Sequence, residues 1–226
     1  MMVPPITTTP VYIEPYRRRV RALDGARVLA DSEAVLLVHR AGHAPEYAFP
    51  SQDVRTEGAS PLPEAQGYVT VPWDSATDWY EEEERVFMHP RNPYHRVDCV
   101  RTTRKLRVEV DGTVIVDTND TIALYETALE PRLYVTREQV LGDRLVPNPT
   151  TTTYCPYKGF ASYWNAVVGT TVIENAAWSY EDPLPESEPI RGLLSFDDAR
   201  VTVLDDLPPA APIKPPPRTT SKRPPP

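Results

Sequence analysis

The stretch Cys155 to Gly159, with the sequence CPYKG, contains the residue types in this chain that are best suited to binding chemistry. Lys158 supplies a cation, and aromatic residues are frequent on the strands that follow. Flat apolar walls with hydrogen-bonding tips around a cation suit a planar or anionic small molecule. We expect the walls of such a pocket to be formed by Tyr157, Tyr163, Trp164, Trp178 and Tyr180.

A purely structural interpretation of the same stretch also stays open. Pro156 fixes its own φ angle and favours an extended Cys155, while Gly159 permits a turn or a close approach of another backbone. These properties alone explain a corner between two strands. Aromatic residues on strands most often pack in a core, so the sequence does not decide between a pocket and a packed corner.

Cys155 is a candidate for a reactive thiol. Nucleophilic chemistry needs a thiolate that is stabilised by a histidine, a cation or a helix N-terminus. Lys158 meets this need only if the turn folds back, and no histidine follows His95. A small buried apolar residue is the alternative interpretation of Cys155.

The histidines do not have the spacing of a metal site. His39 and His43 fall on a strand and the loop after it, and His89, His95 and Cys99 are separated by two prolines. Zinc sites usually have more closely spaced pairs of ligands. We therefore expect no metal, and hydrogen-bonding roles for the loop histidines.

The acidic clusters give little support to phosphoryl transfer. Glu81 to Glu84 are consecutive and are expected to form a solvated helix end. Asp197-Asp198 and Asp205-Asp206 are adjacent pairs, and neighbours on a strand face opposite sides. The chain also has no convincing Gly-rich phosphate cradle.

Composition limits the class of protein and of partner. The chain has 226 residues and a net charge of −8, which disfavours nucleic acid or an anionic membrane as the main partner. It contains only two cysteines, Cys99 and Cys155, as is typical of a reducing compartment. No apolar run reaches membrane-spanning length, and the first residues lack the pattern of a signal peptide. We expect a soluble cytoplasmic protein.

An internal repeat organises the chain. The segment that begins at Arg18 resembles the segment that begins at Arg104, with two compensating one-residue shifts around an Asp-Gly pair. The spacing is much longer than that of solenoid repeats and predicts a duplicated domain. The matching residues are Arg18, Arg21, Asp24, Gly25, Val28, Asp31, Pro45 and Val54 with Arg104, Arg107, Asp111, Gly112, Val114, Asp117, Pro131 and Val140.

Hydrophobic alternation predicts a mainly β protein. In the second repeat, Leu106 to Val110 alternate with polar residues and Asp111-Gly112 predicts a tight hairpin turn. A third strand is predicted at Thr121 to Glu126, and Thr136 with Gln139 predicts a capped helical turn. One short helix is predicted between the repeats, in WDSATDWYEEEE from Trp73 to Glu84.

Three motifs carry a resemblance to a known family. YETALEPRLYV, CPYKGFASYW and AWSYEDPLPE resemble motifs of domain of unknown function family 427, which also has a nucleotidyltransferase-like label. The resemblance covers residues 101–205 and is weaker in the first repeat, which lacks a counterpart of CPYKG. It implies two tandem β-tent domains. Glu126 and Tyr134, in the first motif, are expected to meet Lys158 across the sheet.

These patterns predict four segments. They are a flexible N-terminus at 1–12, a divergent first copy with the connecting helix at 13–100, the motif-bearing second copy at 101–205 and a disordered Pro-rich tail at 206–226. The sequence PAAPIK at residues 209–214 matches a ligand of polyproline-binding domains. Such a match arises easily by chance in a proline-rich stretch.

Three classes of function stay open. The first is binding of a small molecule at the aromatic and lysine pocket of the second copy, with or without catalysis. The second is a structural or protein-interaction module, and the third is a nucleotide-dependent transferase. The sequence leaves the ligand, any cofactor, the reaction and the oligomeric state unknown.

Overall fold

The computed structural model describes residues 11–209. The predictions for residues 1–12 and for the tail at 206–226 fall largely outside these residues, as does the 209–214 motif apart from Pro209. Two boundaries differ from the prediction. The first strand begins at Val11, where it pairs with Arg40. Leu207, which was assigned to the tail, packs against a hydrophobic core because its side chain is apolar.

Residues 11–86, here called the first half, form nine strands in two antiparallel sheets. One sheet has the order β1-β4-β5-β7-β6 and the other β3-β2-β8-β9. Short 3-10 helices lie at Ser51–Asp53 and Trp73–Ser75. The strands are β1 Val11–Tyr16, β2 Val20–Asp24, β3 Arg27–Ser32, β4 Val35–Arg40, β5 Glu46–Pro50, β6 Ser60–Pro61, β7 Tyr68–Thr70, β8 Asp78–Glu81 and β9 Glu84–Val86.

Residues 97–209, the second half, form ten strands in three antiparallel sheets, and residues 87–96 connect the halves. The sheets have the orders β10-β13-β14, β12-β11-β19 and β15-β16-β17-β18. Short 3-10 helices lie at Arg137–Gln139 and Pro185–Ile190. The strands are β10 Val97–Thr102, β11 Leu106–Val110, β12 Thr113–Thr118, β13 Thr121–Glu126, β14 Arg132–Tyr134, β15 Leu145–Cys155, β16 Gly159–Val168, β17 Thr171–Ser179, β18 Leu194–Phe196 and β19 Thr202–Asp205.

The two halves pair their first five strands in the same way. β1-β4-β5 corresponds to β10-β13-β14, and the β2/β3 hairpin corresponds to β11/β12. Both hairpins shift register at the same point, between Ala22 and Leu23 and between Val108 and Glu109. The isolated bridges Ala30–Val54 and Val116–Val140 are also equivalent.

Local sequence explains the β11/β12 hairpin and the turn after β14. Leu106, Val108 and Val110 alternate with polar neighbours and are buried. Asp111 and Gly112 adopt φ angles of 49° and 71°, as a tight turn between antiparallel strands requires. The predicted strand Thr121–Glu126 and the capping box of Thr136 with Gln139 are confirmed.

The predicted helix from Trp73 to Glu84 is wrong. A 3-10 helix covers only Trp73–Ser75, and the residues from Asp78 onward form the β8/β9 hairpin. β8 pairs with β2, and it buries Trp79 and Glu81 while Asp78 and Tyr80 are only partly buried. The alternation of a strand therefore overrides the helical spacing, because pairing with β2 satisfies the backbone of β8 along its length.

Each hydrophobic core cluster in residues 11–209 belongs to a single half. The largest cluster of the first half includes Leu29, Phe49 and Trp79, and that of the second half includes Ile115 and Phe196. In this part of the chain, no helix has the length and apolar character needed to cross a membrane.

Candidate functional site

The CPYKG stretch forms a tight turn that is packed against a neighbouring loop. β15 ends at Cys155 and β16 begins at Gly159, and the amide of Lys158 donates to the carbonyl of Cys155 at 3.2 Å. The carbonyl of Lys158 accepts a hydrogen bond from the amide of Leu184 at 3.1 Å. The turn is therefore held on both sides, and Lys158 is buried with 9% exposure.

Replacing Gly159 with Ala is expected to lower the free energy of unfolding by about 1 to 3 kcal/mol. Gly159 has a φ of +97°, and a Cβ atom would lie 3.3 Å from the carbonyl oxygen of Asp182. Both the backbone strain and this contact oppose alanine. Urea denaturation measures the change, and Gly58→Ala serves as the control because Gly58 lacks a positive φ. Equal stability of the two variants would refute this role of Gly159.

Lys158, Glu126 and His95 form one buried polar network. Nζ of Lys158 forms an ion pair with Oε2 of Glu126, and the pair joins two different sheets rather than two strands of one sheet. The other carboxylate oxygen, Oε1, lies 2.9 Å from Nε2 of His95. Only 4% of the Glu126 side chain is exposed. Because a buried carboxylate without partners is costly, Glu126 depends on both neighbours.

The stabilising contribution of Glu126 is expected to depend on pH. Burial raises the pKa of Glu126, but hydrogen bonds from His95 and Lys158 outweigh burial and lower the pKa overall. Such a group stabilises the fold above its unfolded pKa of about 4.3, and the contribution is lost as the pH falls through the folded pKa. Urea unfolding of the wild type and Glu126→Gln should differ most near pH ~6 and least near pH ~3. A difference that does not change with pH would contradict this expectation.

Tyr157 joins the turn to residues 87–96. Its ring stacks on the ring of His95 with a centroid distance of 3.8 Å and an interplanar angle of 15°. Its hydroxyl oxygen accepts a hydrogen bond from the amide of Asn92 at 3.0 Å. Burial raises the pKa of Tyr157, so this hydroxyl stays neutral. The connector therefore fixes the ring and the hydroxyl group of Tyr157, which is one of the predicted site residues.

Cys155 lies beside the carboxylate of the network. Its Sγ is 4.0 Å from Oε1 of Glu126. Among the described residues, its hydrogen-bond partner is thus an anion rather than a histidine base. The other cysteine, Cys99, packs against the same cluster, and burial raises the pKa of its thiol to about 11. Within the described residues, this contact with Glu126 is therefore not one of those that activate a nucleophilic thiol.

The remaining predicted site residues divide between two places. One core cluster contains Tyr157 together with Tyr134, Tyr163, Trp178 and Tyr180. The hydroxyl oxygen of Tyr134 accepts a hydrogen bond from Nε1 of Trp178 at 3.1 Å. Burial raises the pKa of Tyr134 and of Tyr180. Trp164 instead packs against the other cluster of the second half, with the guanidinium of Arg137 4.5 Å from the centre of its ring system.

A cleft of about 410 Å³ lies beside the network, and both halves contribute to it. Tyr157 and His95 form part of its wall, whereas Lys158 and Glu126 lie behind them. The first half contributes the side chains of Tyr16 and Arg18. Other polar residues of the lining are Arg91, Asn92 and Glu186.

Glu81 supplies a second buried carboxylate close to this cleft. The sequence placed it in a solvated helix end, and that expectation is wrong for Glu81, which is 5% exposed. Glu82, Glu83 and Glu84 are exposed as expected, but they belong to the β8/β9 hairpin rather than to a helix. Its Oε2 lies 2.5 Å from Nη1 of Arg18, and Oε1 accepts a hydrogen bond from the hydroxyl of Tyr47. The inward face of β8 explains its burial.

Arg91 is the cleft cation that carries no ion pair within the described residues, since Arg18 is paired with Glu81. Burial raises the pKa of Tyr16 and of Tyr157, and the charge of Arg91 acts in the opposite direction on both hydroxyls. Arg91 lines the same cleft as both tyrosines. This places a positive charge near a tyrosine from each half.

Sequence reasoning missed the contribution of the connector to the site. His95 and Arg91 lie in HPRNPYHRVD, where the sequence predicted hydrogen-bonding roles for the histidines and assigned no role to Arg91. Two prolines and a run of polar residues in a connector favour a fixed path over a flexible linker. That signal pointed to an ordered segment, but not to the partner that each side chain contacts.

His39 and His89 form hydrogen bonds outside this network. Nε2 of His39 lies 2.8 Å from Oε1 of Glu14, and Nδ1 of His89 lies 2.8 Å from the carbonyl of Pro90. Across residues 11–209, no group of three or more His, Cys, Asp or Glu side chains is arranged to hold a metal ion.

Comparison with known proteins concerns mainly the second half. No curated protein matches the chain. A family model matches residues 98–206, and this segment contains Glu126, Cys155, Tyr157 and Lys158 but neither Arg91 nor His95. Residues 98–206 are therefore similar to the family described as Domain of unknown function (DUF427).

Proposed function

We propose that the protein binds a small anionic molecule with a flat apolar part, in the cleft between the two halves. The observation that carries this proposal is Arg91, a cation without an ion pair in the described residues, in a cleft lined by Tyr16 and Tyr157. Aromatic rings supply area for a flat group, and a guanidinium supplies a planar fork for a carboxylate or phosphate.

The size and composition of the cleft agree with a small ligand. Its volume of about 410 Å³ lies in the range of small-molecule sites. The acidic residue of the lining, Glu186, accepts a hydrogen bond from the amide of Val97 at 3.3 Å. In the described residues no ion pair joins Glu186 to Arg91, so the charge of Arg91 stays available to an anion.

The buried network supports the wall of the cleft. Glu126 fixes His95, His95 stacks on Tyr157, and the amide of Asn92 holds the Tyr157 hydroxyl. A binding surface held by such a second layer of contacts loses little entropy when a ligand arrives. In this proposal Lys158 acts through Glu126 and does not touch the ligand.

Replacing Arg91 with Ala is expected to weaken binding of benzoate about tenfold, because a hydrogen-bonded charge is lost. Isothermal titration calorimetry with benzoate measures this directly. Arg96→Ala is the matched control, because Arg96 is an exposed arginine of the same connector that does not line the cleft. Equal losses in both variants, or no loss in Arg91→Ala, would count against the proposal.

A thermal-shift panel separates this function from the alternatives. A ligand that binds only the folded state must raise the melting temperature. Benzoate and benzenesulfonate should raise it and neutral benzamide should not. A shift with ATP that requires Mg²⁺ would instead favour a nucleotide-dependent transferase. No shift with any compound would favour a structural or protein-interaction module.

We also propose that the two halves are duplicated copies of one β domain. The equivalent registers of β1/β4 and β10/β13 and the equivalent bridges at Val54 and Val140 support this origin. The first copy has no counterpart of the CPYKG turn. Duplication would thus have left one copy to carry the buried network and the other to close the cleft with Tyr16 and Arg18.

A further inference from the structure

His95 has one ring nitrogen committed to the buried network. Its Nε2 lies 2.9 Å from Oε1 of Glu126, and the stack on Tyr157 restricts rotation of the ring. The backbone amide of His95 donates to the carbonyl of Asn92 at 3.0 Å. Both the ring and the backbone of His95 are therefore held in place.

The charges around Glu126 determine which ring nitrogen of His95 carries the proton. Because Lys158 already neutralises the carboxylate, a neutral imidazole completes the network without adding an unbalanced charge. A carboxylate accepts and cannot donate, so a neutral His95 must carry its proton on Nε2. Nδ1 is then an unprotonated acceptor.

Nδ1 has no hydrogen-bond partner among the described residues, and His95 lines the cleft. The other charged groups that line the same cleft are Arg18 and Arg91, which disfavour a further positive charge, and Glu186, which favours one. Arginine side chains donate hydrogen bonds but cannot accept them. His95 thus provides this part of the cleft with a neutral acceptor that the arginines cannot provide.

We infer that Nδ1 of His95 accepts a hydrogen bond from the ligand, and that the ligand therefore carries a hydroxyl or N–H donor as well as an anionic group. This inference rests on the proposed function and adds a specificity-determining residue to it. Hydroxylated aromatic acids are the simplest class with both features and a flat ring. Glu126 acts as the residue that fixes the tautomer.

The first test needs no ligand. ¹⁵N-edited NMR of the ring nitrogens distinguishes the two neutral tautomers, and we expect His95 to carry its proton on Nε2. In Glu126→Gln, whose side-chain amide can both donate and accept, this preference should weaken. A wild-type His95 with its proton on Nδ1 would overturn the inference, whether or not any benzoate binds.

The second test compares hydroxyl and fluorine at one position of the ring. Calorimetry with 3- and 4-hydroxybenzoate and with 3- and 4-fluorobenzoate should show about a fivefold to tenfold preference for at least one hydroxyl compound. His95→Gln places its amide near the position of Nε2 and removes the Nδ1 acceptor. In this variant the preference should disappear while benzoate still binds.

His95→Asn provides the matched control, because its amide lies near the position of Nδ1 and retains an acceptor there. It should keep part of the hydroxyl preference. If the wild type binds benzoate without any hydroxyl preference, the proposed function stands and this inference fails. If the wild type binds none of the compounds, the proposed function fails, and with it the assigned ligand class.

Discussion

Replacing Lys158 with Met is expected to lower the free energy of unfolding by about 3 to 5 kcal/mol. The side chains of Lys158 and Glu126 are 11% and 4% exposed. Methionine preserves much of the apolar length of lysine but leaves a buried carboxylate with His95 as its remaining strong partner. Because water does not reach this carboxylate freely, its charge is poorly compensated. Urea denaturation at neutral pH measures the loss.

Two further variants test whether the loss of stability comes from the unpaired charge of Glu126. Arg101→Met breaks the ion pair with Asp120, whose partners are 79% and 67% exposed, and should change stability by less than about 1 kcal/mol. The double variant Lys158→Met with Glu126→Gln should regain much of the loss, since no charge is then stranded. A Lys158→Met protein as stable as Arg101→Met would show that the pair is solvated in solution.

Replacing Trp79 with Ala is expected to lower the free energy of unfolding by about 3 to 5 kcal/mol. Trp79 is 2% exposed and stacks on Trp73 at 4.7 Å and on Tyr47 at 5.7 Å. Its Nε1 also donates to the carbonyl of Trp73 at 2.9 Å. Alanine therefore leaves a cavity in the first-half core and an unpartnered carbonyl.

The effect of Trp79→Ala should be confined to the first half, because each core cluster in residues 11–209 draws on one half alone. Methyl NMR signals of Ile115 in the second-half core should keep their wild-type positions. Tyr125→Ala is the control, since Tyr125 is 42% exposed and its loss should cost less than about 1 kcal/mol. Shifts that spread equally through both cores would argue against separate cores.

The sequence predicted those parts of the fold that local patterns control. The β11/β12 hairpin follows from alternation between Leu106 and Val110 and from the Asp111-Gly112 turn. The prediction of a helix from Trp73 to Glu84 was wrong for a physical reason. The tryptophan and glutamate residues of this segment are spaced as on a strand, but the same spacing also fits one face of a helix. Pairing with β2 selects the strand over the helix. Because β2 is distant in the chain, the residue spacing within this segment does not predict that pairing.

The candidate site was predictable only in part for a similar reason. Lys158 and Glu126 are both present in sequence motifs, and a contact between them was expected across one sheet, whereas the structure joins them between two sheets. The connector residues His95 and Arg91 reach the site because residues 87–96 pass between the halves. Tertiary packing determines which side of a connector faces a cleft. Neither the hydrophobic periodicity nor the residue types of the connector predict that side.

The most direct measurement of the central claim is an intermolecular nuclear Overhauser experiment with benzoate and protein carrying labelled tyrosine and tryptophan rings. The proposed function predicts contacts from the aromatic protons of benzoate to the rings of both Tyr16 and Tyr157, which line the cleft from opposite halves. These contacts should weaken in Arg91→Ala at the same concentrations. Contacts to Trp73 or Trp164 in place of the two tyrosines, or none to any labelled ring, would contradict the claim.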